Sequence, residues 1–371
     1  MATLTVGSGK DYSTIEAALA AADASDTIAI DAGTYTEYHL DFYDANLTIK
    51  AAVETVGSPN ENTVILDGEG STSKEYAFWA YASGTTYQHL TMKNFEEYGV
   101  RAGNIAGRSM TLSGCLIYGC DGPAVSALGF NSTTPAEIKD SIIIVDEGRA
   151  VNVNGNSPIH IYNSVLAVQQ EDEAVVVSSI SYPNVTASHC TFIGIGYISG
   201  PSSDGRHYHL INQVAKVNNC ILYGGRGSGI GANSHDHNLV YLHDPASAGT
   251  GNAYVQFTAD SWDGAEDSAG TGDLTGDPKF VTAPTLGSIT PFNMDLNLQA
   301  SSPAVDAGSS TFTADISGSA RDSNPDMGAY ERVTGVVVTP GYGNIIMTVA
   351  AGSLGKVLGV TRANASKVLG T

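Results

Sequence analysis

Carboxylates return to matching places along this 371-residue chain. Glu171, Asp172 and Glu173 stand between two apolar runs in "VLAVQQEDEAVVV", and Asp146 and Glu147 hold the same place in "IIIVDEGRAVNV". Glu97 and Asp121 follow apolar runs in the same way further upstream. A carboxylate edge of this kind allows three readings. Oxygen-rich turns can hold Ca²⁺, which takes about six to eight oxygen ligands. Paired carboxylates can cleave glycosidic bonds, at separations of roughly 5 Å in retaining enzymes and roughly 6.5–9.5 Å in inverting ones. The third reading is a solvated turn with no ligand. A second set, Arg206, His207 and His209 in "SGPSSDGRHYHLINQ", offers a base and a cation, as β-elimination on a uronic acid requires; otherwise it is a polar loop. His235 and His237 flank Asp236, but zinc would need further ligands. Asp273 and Asp277 in "GDLTGDP" read mainly as turn residues.

Such groups need a scaffold that brings them to one edge, and the chain supplies a repeat. "HLTMKNFEEYGV" (89–100), "GCLIYGCDGPAV" (114–125), "DSIIIVDEGRAV" (140–151), "NSVLAVQQEDEAV" (163–175), "HCTFIGIGYI" (189–198) and "NCILYGGRGSGI" (219–230) align as one unit recurring about every 25 residues. Their second residues are Leu90, Cys115, Ser141, Ser164, Cys190 and Cys220; two places on stand Met92, Ile117, Ile143, Leu166, Phe192 and Leu222. That alternation is a strand with a buried face. A small residue followed by Val or Ile comes after most of the turns: Gly99-Val100, Ala124-Val125, Ala150-Val151, Ala174-Val175 and Gly229-Ile230. Strands at this period, with no helical pattern between them, predict a parallel solenoid. Glu97, Asp121, Asp146, Glu147, Glu171, Asp172 and Glu173 then all fall in the first turn after a strand. Neighbouring coils stack roughly 4.8 Å apart, so the fold makes short carboxylate separations easy to reach.

A solenoid leaves open strand edges at its ends. "DYSTIEAALAAADASD" provides a cover, with Ser13 and Glu16 in a capping box and Ile15, Ala18, Leu19 and Ala22 on one helical face. Strands resume at "DTIAIDAGTYTE" and "NLTIKAA". The whole opening, "TVGSGKDYSTIEAALAAADASDTIAIDAGTYTE", resembles that of right-handed parallel β-helix proteins of the pectin-lyase-like superfamily. "GDPKFV" (276–281), "DLNLQASSPAVDAGSS" (295–310) and "DISGSARDSNPDMGAYER" (315–332) resemble the closing coils of the same group. The resemblance implies the fold, while its members range from lyases and hydrolases to phage tailspikes and adhesins. The polygalacturonase-type Asn-Thr-Asp, Asp-Asp and Gly-His-Gly segments are missing here. So is the pectate-lyase signature of two tryptophans and a histidine; Trp79 and Trp262 stand in unrelated contexts.

A net charge of −21 and a pI near 4.5 speak against nucleic acid and anionic membranes as partners. No apolar run reaches the roughly 18 residues of a membrane span, and the N-terminus shows no basic-then-apolar signal pattern. Cys115, Cys190 and Cys220 share the inward ladder with serines, which suits small reduced thiols. After Glu331 the acids stop, and "GKVLGV" and "SKVLGT" carry Lys356, Arg362 and Lys367 beside Val357, Leu358, Val368 and Leu369. This tail resembles those of some phage structural proteins.

The sequence therefore predicts an all-β protein, a right-handed single-stranded parallel β-helix. Its parts are an N-terminal strand and capping helix (1–25), the β-helix (26–332) and a cap or attachment tail (333–371). The function expected is a structural, glycan-binding virion component, such as a tailspike, fibre or decoration protein. It would be made in a host cytoplasm and joined to itself and to assembly subunits through its tail. It needs no cofactor, with Ca²⁺ an option. The alternative is a secreted or cell-surface polysaccharide lyase or glycoside hydrolase.

Overall fold

The computed structural model describes residues 1–54, 57–102, 109–130, 135–146, 148–155, 158–169, 176–178, 185–194, 211–214, 216–224, 230–232, 234–243, 253–254, 270–285, 288–309 and 312–332, with four short strands between 337 and 361. Residues 1–331 form one compact unit and 332–371 another.

The first unit is a right-handed parallel β-helix built of three sheets. Among the described residues its first sheet has ten strands, from Thr3–Val6 to His235–Asp236, and its third has eight, from Leu40–Phe42 to Ile230–Ala232. The eleven-stranded second sheet begins at Gly33–Tyr35 and adds an antiparallel edge at Ala253–Tyr254. One coil runs from Thr85–Gln88 through Leu90–Lys93 to Tyr98–Ala102, and then rejoins the first sheet at Met110–Ser113.

The expected ladder stands in register. Met92, Ile117, Ile143, Leu166, Phe192 and Leu222 pair coil to coil, and all are fully buried. On the third sheet Val100, Val125 and Val151 stack likewise. The register continues to Val176 rather than Val175, and one residue of slip reverses a strand's faces.

The corner between the first and second sheets is a single residue with positive φ. His89, Gly114, Asp140, Asn163, His189, Asn219 and His237 hold it in successive coils, at φ between 48° and 64°. These are the residue types that tolerate the left-handed region. The small residue after each corner ties the coils together. Ser141 Oγ accepts from Cys115 N and donates to Lys139 O, and Ser164 Oγ does the same for Ser141 N and Tyr162 O. Cys220 Sγ and Asn238 Oδ1 continue the series, accepting from Cys190 N and Cys220 N. The four cysteines are free thiols.

The N-terminal helix spans Ile15–Ala21 and buries Ile15, Ala18 and Leu19 against the Thr3–Val6, Thr27–Ile30 and Leu40–Phe42 strands. Its cap is Thr14 rather than Ser13. Glu37, from beyond the next strands, accepts from Ile15 N and Glu16 N in place of a capping-box partner.

Residues 274–331 include the stretches that resemble closing coils, yet past Leu274–Thr275 they add no further turn to the described solenoid. They fold back as a strap over the outside of the second sheet. Phe280, Ile289, Leu296, Leu298, Ile316 and Met327 bury against outward-facing Leu116, Ile142, Ile144, Val165, Ile193 and Ile221. This second apolar layer explains why "IIIV" is apolar throughout: both faces of the Ile142–Val145 strand are covered. Two corner asparagines dock the strap, Asn163 Nδ2 donating to Ala314 O and Asn219 Nδ2 to Ser309 O. Arg321 clamps it, donating to Glu331, Asn163 Oδ1 and the Asp326 and Gly328 carbonyls.

The described residues of the second unit form two short antiparallel pairs, Val337–Val338 with Met347–Thr348 and Lys356–Val357 with Val360–Thr361.

Candidate functional site

With the second sheet covered by the strap, the outer face of the third sheet presents a cluster of ligand-competent groups. In the strand Tyr76–Ala80, Phe78 and Ala80 point into the core, which turns Trp79 outward. Strand register then sets Asp41, Trp79, Arg101, Ser126 and Asn152 in one column across five coils, at roughly 4.8 Å intervals.

Around Trp79 the side chains form a stack. The rings of Trp79 and Tyr81 lie 4.9 Å apart at 14°, and Tyr81 and Tyr43 lie 4.8 Å apart at 14°. The Arg101 guanidinium sits 4.0 Å from the Trp79 ring centroid and 5.0 Å from that of Tyr98, a cation–π arrangement. Tyr76 meets Trp79 edge-on at 5.3 Å, and its hydroxyl donates to Asp41 Oδ1 at 3.0 Å. Burial, and then Asp41, push the Tyr76 phenol well above its ordinary range; burial and then Glu97 raise Tyr98. At the end of the stack Tyr43 is 72% exposed.

Three consecutive members of the column share a further property. Trp79 Nε1, Arg101 Nε and Ser126 Oγ are each buried and have no hydrogen-bond partner among the described residues. One unmet polar atom of this kind costs about 1–3 kcal/mol, and three of them stand in adjacent coils beside the aromatic stack. Aromatic surface beside such groups suits a hydroxyl-rich ligand with apolar C–H faces.

The acidic edge is less uniform than its spacing suggests. Glu97, Asp121 and Asp146 do lie at the corner between the second and third sheets. Asp121 is exposed, whereas Asp146 has structural work, since Gln169 Nε2 donates to its Oδ1 and Gln169 Oε1 accepts from Ile289 N of the strap. Glu147, Glu171, Asp172 and Glu173 lie outside the described residues, as do Arg206, His207 and His209. Among the described residues no three metal-ligating side chains converge. In the tail, Lys356 and Val357 belong to a short strand, while Leu358, Arg362, Lys367, Val368 and Leu369 lie outside the description.

His235 pairs through Nδ1 with the enclosed Asp273 carboxylate at 2.5 Å, and Asp273 also accepts from Asn238 N, Asn238 Nδ2 and Gly270 N. These bonds hold Asp273 ionised below the usual carboxylate range against the opposing effect of burial. The group fastens the last coils to one another. His237 brings Asp236 and Ser309 to the same nitrogen, Nδ1, at 3.3 and 3.2 Å. A proton relay needs the two ring nitrogens to face different partners, so this is not one.

Sequence reading passed over the aromatic face. The signal was present in "YHLDFYDA" and "YAFWAYA". Once Phe42 and Phe78 are set inward, Asp41, Tyr43, Trp79 and Tyr81 all turn outward.

No family model and no curated protein matches the sequence. Among solved structures, a pectin methylesterase from Aspergillus niger aligns over 65% of this chain and 83% of its own, at 17% identity and a TM-score of 0.42. The pectate lyase Pel9A aligns over 90% of this chain and 97% of its own, at 15% identity and a TM-score of 0.37. YbhC of Escherichia coli covers 74% and 84%, at 12% identity and a TM-score of 0.33. The fold and the chemistry of the site rest on this chain's own strands and residues.

Proposed function

We propose that the chain is a structural, glycan-binding β-helix protein whose third sheet receives a polysaccharide along the Trp79–Arg101–Ser126 column. The observation that carries this reading is the Tyr43–Tyr81–Trp79 stack with the Arg101 guanidinium over Trp79, beside three buried polar atoms that have no hydrogen-bond partner among the described residues. An extended glycan laid along the solenoid axis would present hydroxyls to successive coils and ring faces to the aromatic edge. Attachment belongs to the acid-free tail, which forms its own unit. A virion component, whether tailspike, fibre or decoration protein, has use for both parts.

The test is binding of soluble polysaccharides to the full chain, read by isothermal titration calorimetry, with Trp79→Ala and Arg101→Gln as variants. Loss of binding by at least tenfold in both supports the reading; unchanged binding sinks it. Release of new reducing ends or unsaturated products during the same incubation would favour the alternative, a polysaccharide lyase or hydrolase. Calcium on the acidic edge is part of the proposal. Millimolar Ca²⁺ should then raise the melting temperature by stabilising the folded state, and an unmoved melting temperature leaves that edge a solvated turn.

A further inference from the structure

The outward column of the second sheet reads Tyr118, Ile144, Ala167, Ile193, Tyr223, Tyr241 in consecutive coils. The strap covers its apolar middle. At one margin Phe292 meets Tyr118 edge-on, and at the other Phe280 leans on Tyr223 at 5.4 Å. Tyr241 lies one coil further out, stacked on Tyr223 at 5.6 Å and 28°. Between these tyrosines and the strap is a cavity of about 420 Å³, whose rim also carries Asp277, Lys279, Gln299 and Ser301.

The cavity has the composition of a small saccharide site. Its wall is aromatic, able to take the C–H face of a sugar ring. Its rim offers an acceptor-only carboxylate, a donor-only ammonium, and an amide and a hydroxyl that do both. Asp277 and Lys279 cancel in charge, which favours a neutral ligand over an ionic one. Lys279 Nζ has no ionic or hydrogen-bond partner among the described residues, and its φ of 50° places it in the left-handed region, held by Asp277 Oδ1 accepting from its backbone N–H. Gln299 is fixed from the other side: its N–H donates to Lys279 O and its Nε2 to Phe280 O. The volume lies near the lower end of the usual range for ligand pockets, roughly 300–1,000 Å³.

We infer that this cavity, at the outer margin of the strap, is a second carbohydrate site that takes one or two neutral sugar units. It is separate from the third-sheet face and does not depend on the reading given to that face.

Saturation-transfer NMR on the full chain, with D-glucose, D-galactose, D-mannose and N-acetyl-D-glucosamine each as probe, tests it. Two variants address the site: Tyr241→Ala removes half of the ring wall, and Lys279→Gly removes the ammonium while keeping the left-handed backbone. Lys279 is exposed, so that variant keeps the fold even where the tyrosine variant does not. The inference expects transfer to at least one probe, retained in Trp79→Ala and weakened at least fivefold in Lys279→Gly and in folded Tyr241→Ala. Transfer that is lost in Trp79→Ala and retained in Lys279→Gly overturns it while leaving the third-sheet proposal intact. Absence of transfer from all four probes to the wild type overturns it as well.

Discussion

The imidazole of His189 packs edge-on against the ring of Phe312, with centroids 5.3 Å apart at 73°. A corner of the solenoid is thereby sealed by the strap. The imidazole is 1% exposed, its Nδ1 lies 3.0 Å from Ser188 Oγ, and its Nε2 is buried with no partner among the described residues. Burial, helped by the nearby Arg321 charge, pulls its pKa down to about 3.

A pH dependence follows. Because the folded pKa lies below the unfolded value near 6.5, the unfolded chain binds the extra proton. Stability should therefore fall as pH drops from about 6.5 toward 3, by something on the order of 3 kcal/mol at pH 4. His189→Asn keeps a residue suited to the left-handed corner, as Asn163 and Asn219 show in neighbouring coils. Denaturant melts at pH 7 and pH 4 should show a smaller loss in the variant, and an equal loss in both would remove His189 as the cause.

Leu166 occupies the middle of the inner ladder between Ile143 and Phe192. Leu166→Asp should cost several kcal/mol, roughly 3–5, by burying an unpaired charge. Asp121→Asn, on an exposed turn, should stay within about 0.5 kcal/mol of wild type. Thermal unfolding of the pair checks both, and near-equal melting temperatures would mean the ladder is wrongly assigned.

Arg321 and Glu331 are both buried and 3.1 Å apart. Arg321→Met alone strands the Glu331 carboxylate and should destabilise by about 3–5 kcal/mol. Adding Glu331→Leu should recover much of that loss, since an apolar pair of similar size replaces a buried ion pair at little cost. A double-mutant cycle with no recovery would show that the carboxylate's other bonds, to Asp326 N and Asp322 N, matter more than the arginine.

Truncation after Arg332 should leave a folded β-helix, because residues 1–331 already form a compact unit. On the attachment proposal the shortened protein melts like the full chain but no longer co-sediments with its assembly. Unfolding on truncation would instead make the tail a cap.

The inner ladder was legible because a strand with one buried face writes its period into the sequence; Met92 through Leu222 needed no structure to be aligned. The corner was half legible. His89, Gly114, Asp140, Asn163, His189 and Asn219 head the six aligned segments, but nothing in a linear pattern marks a positive φ. The strap was misread as closing coils, because "DLNLQASSPAV" has strand-like alternation whether it extends the solenoid or lies across it. The aromatic site was hidden for a related reason. Tyr43 and Tyr81 become neighbours only through the pairing of the Leu40–Phe42 strand with Tyr76–Ala80, and register between distant coils is a tertiary fact. The acidic edge was visible as a spacing, yet the bond that occupies Asp146 comes through Gln169 from a segment more than a hundred residues away.

The strap also sets an order of events. Coils can wind one upon another as the chain leaves the ribosome, each using its predecessor as template. Ile144, Ile193 and Ile221, however, face outward and stay bare until residues 280–329 have been made. A nascent chain would thus carry a lengthening oily seam that nothing upstream can hide. The hazard of premature clumping peaks just before residues 280–329 are made and falls once they are in place, so any stall near residue 270 should be more harmful than a stall near residue 100.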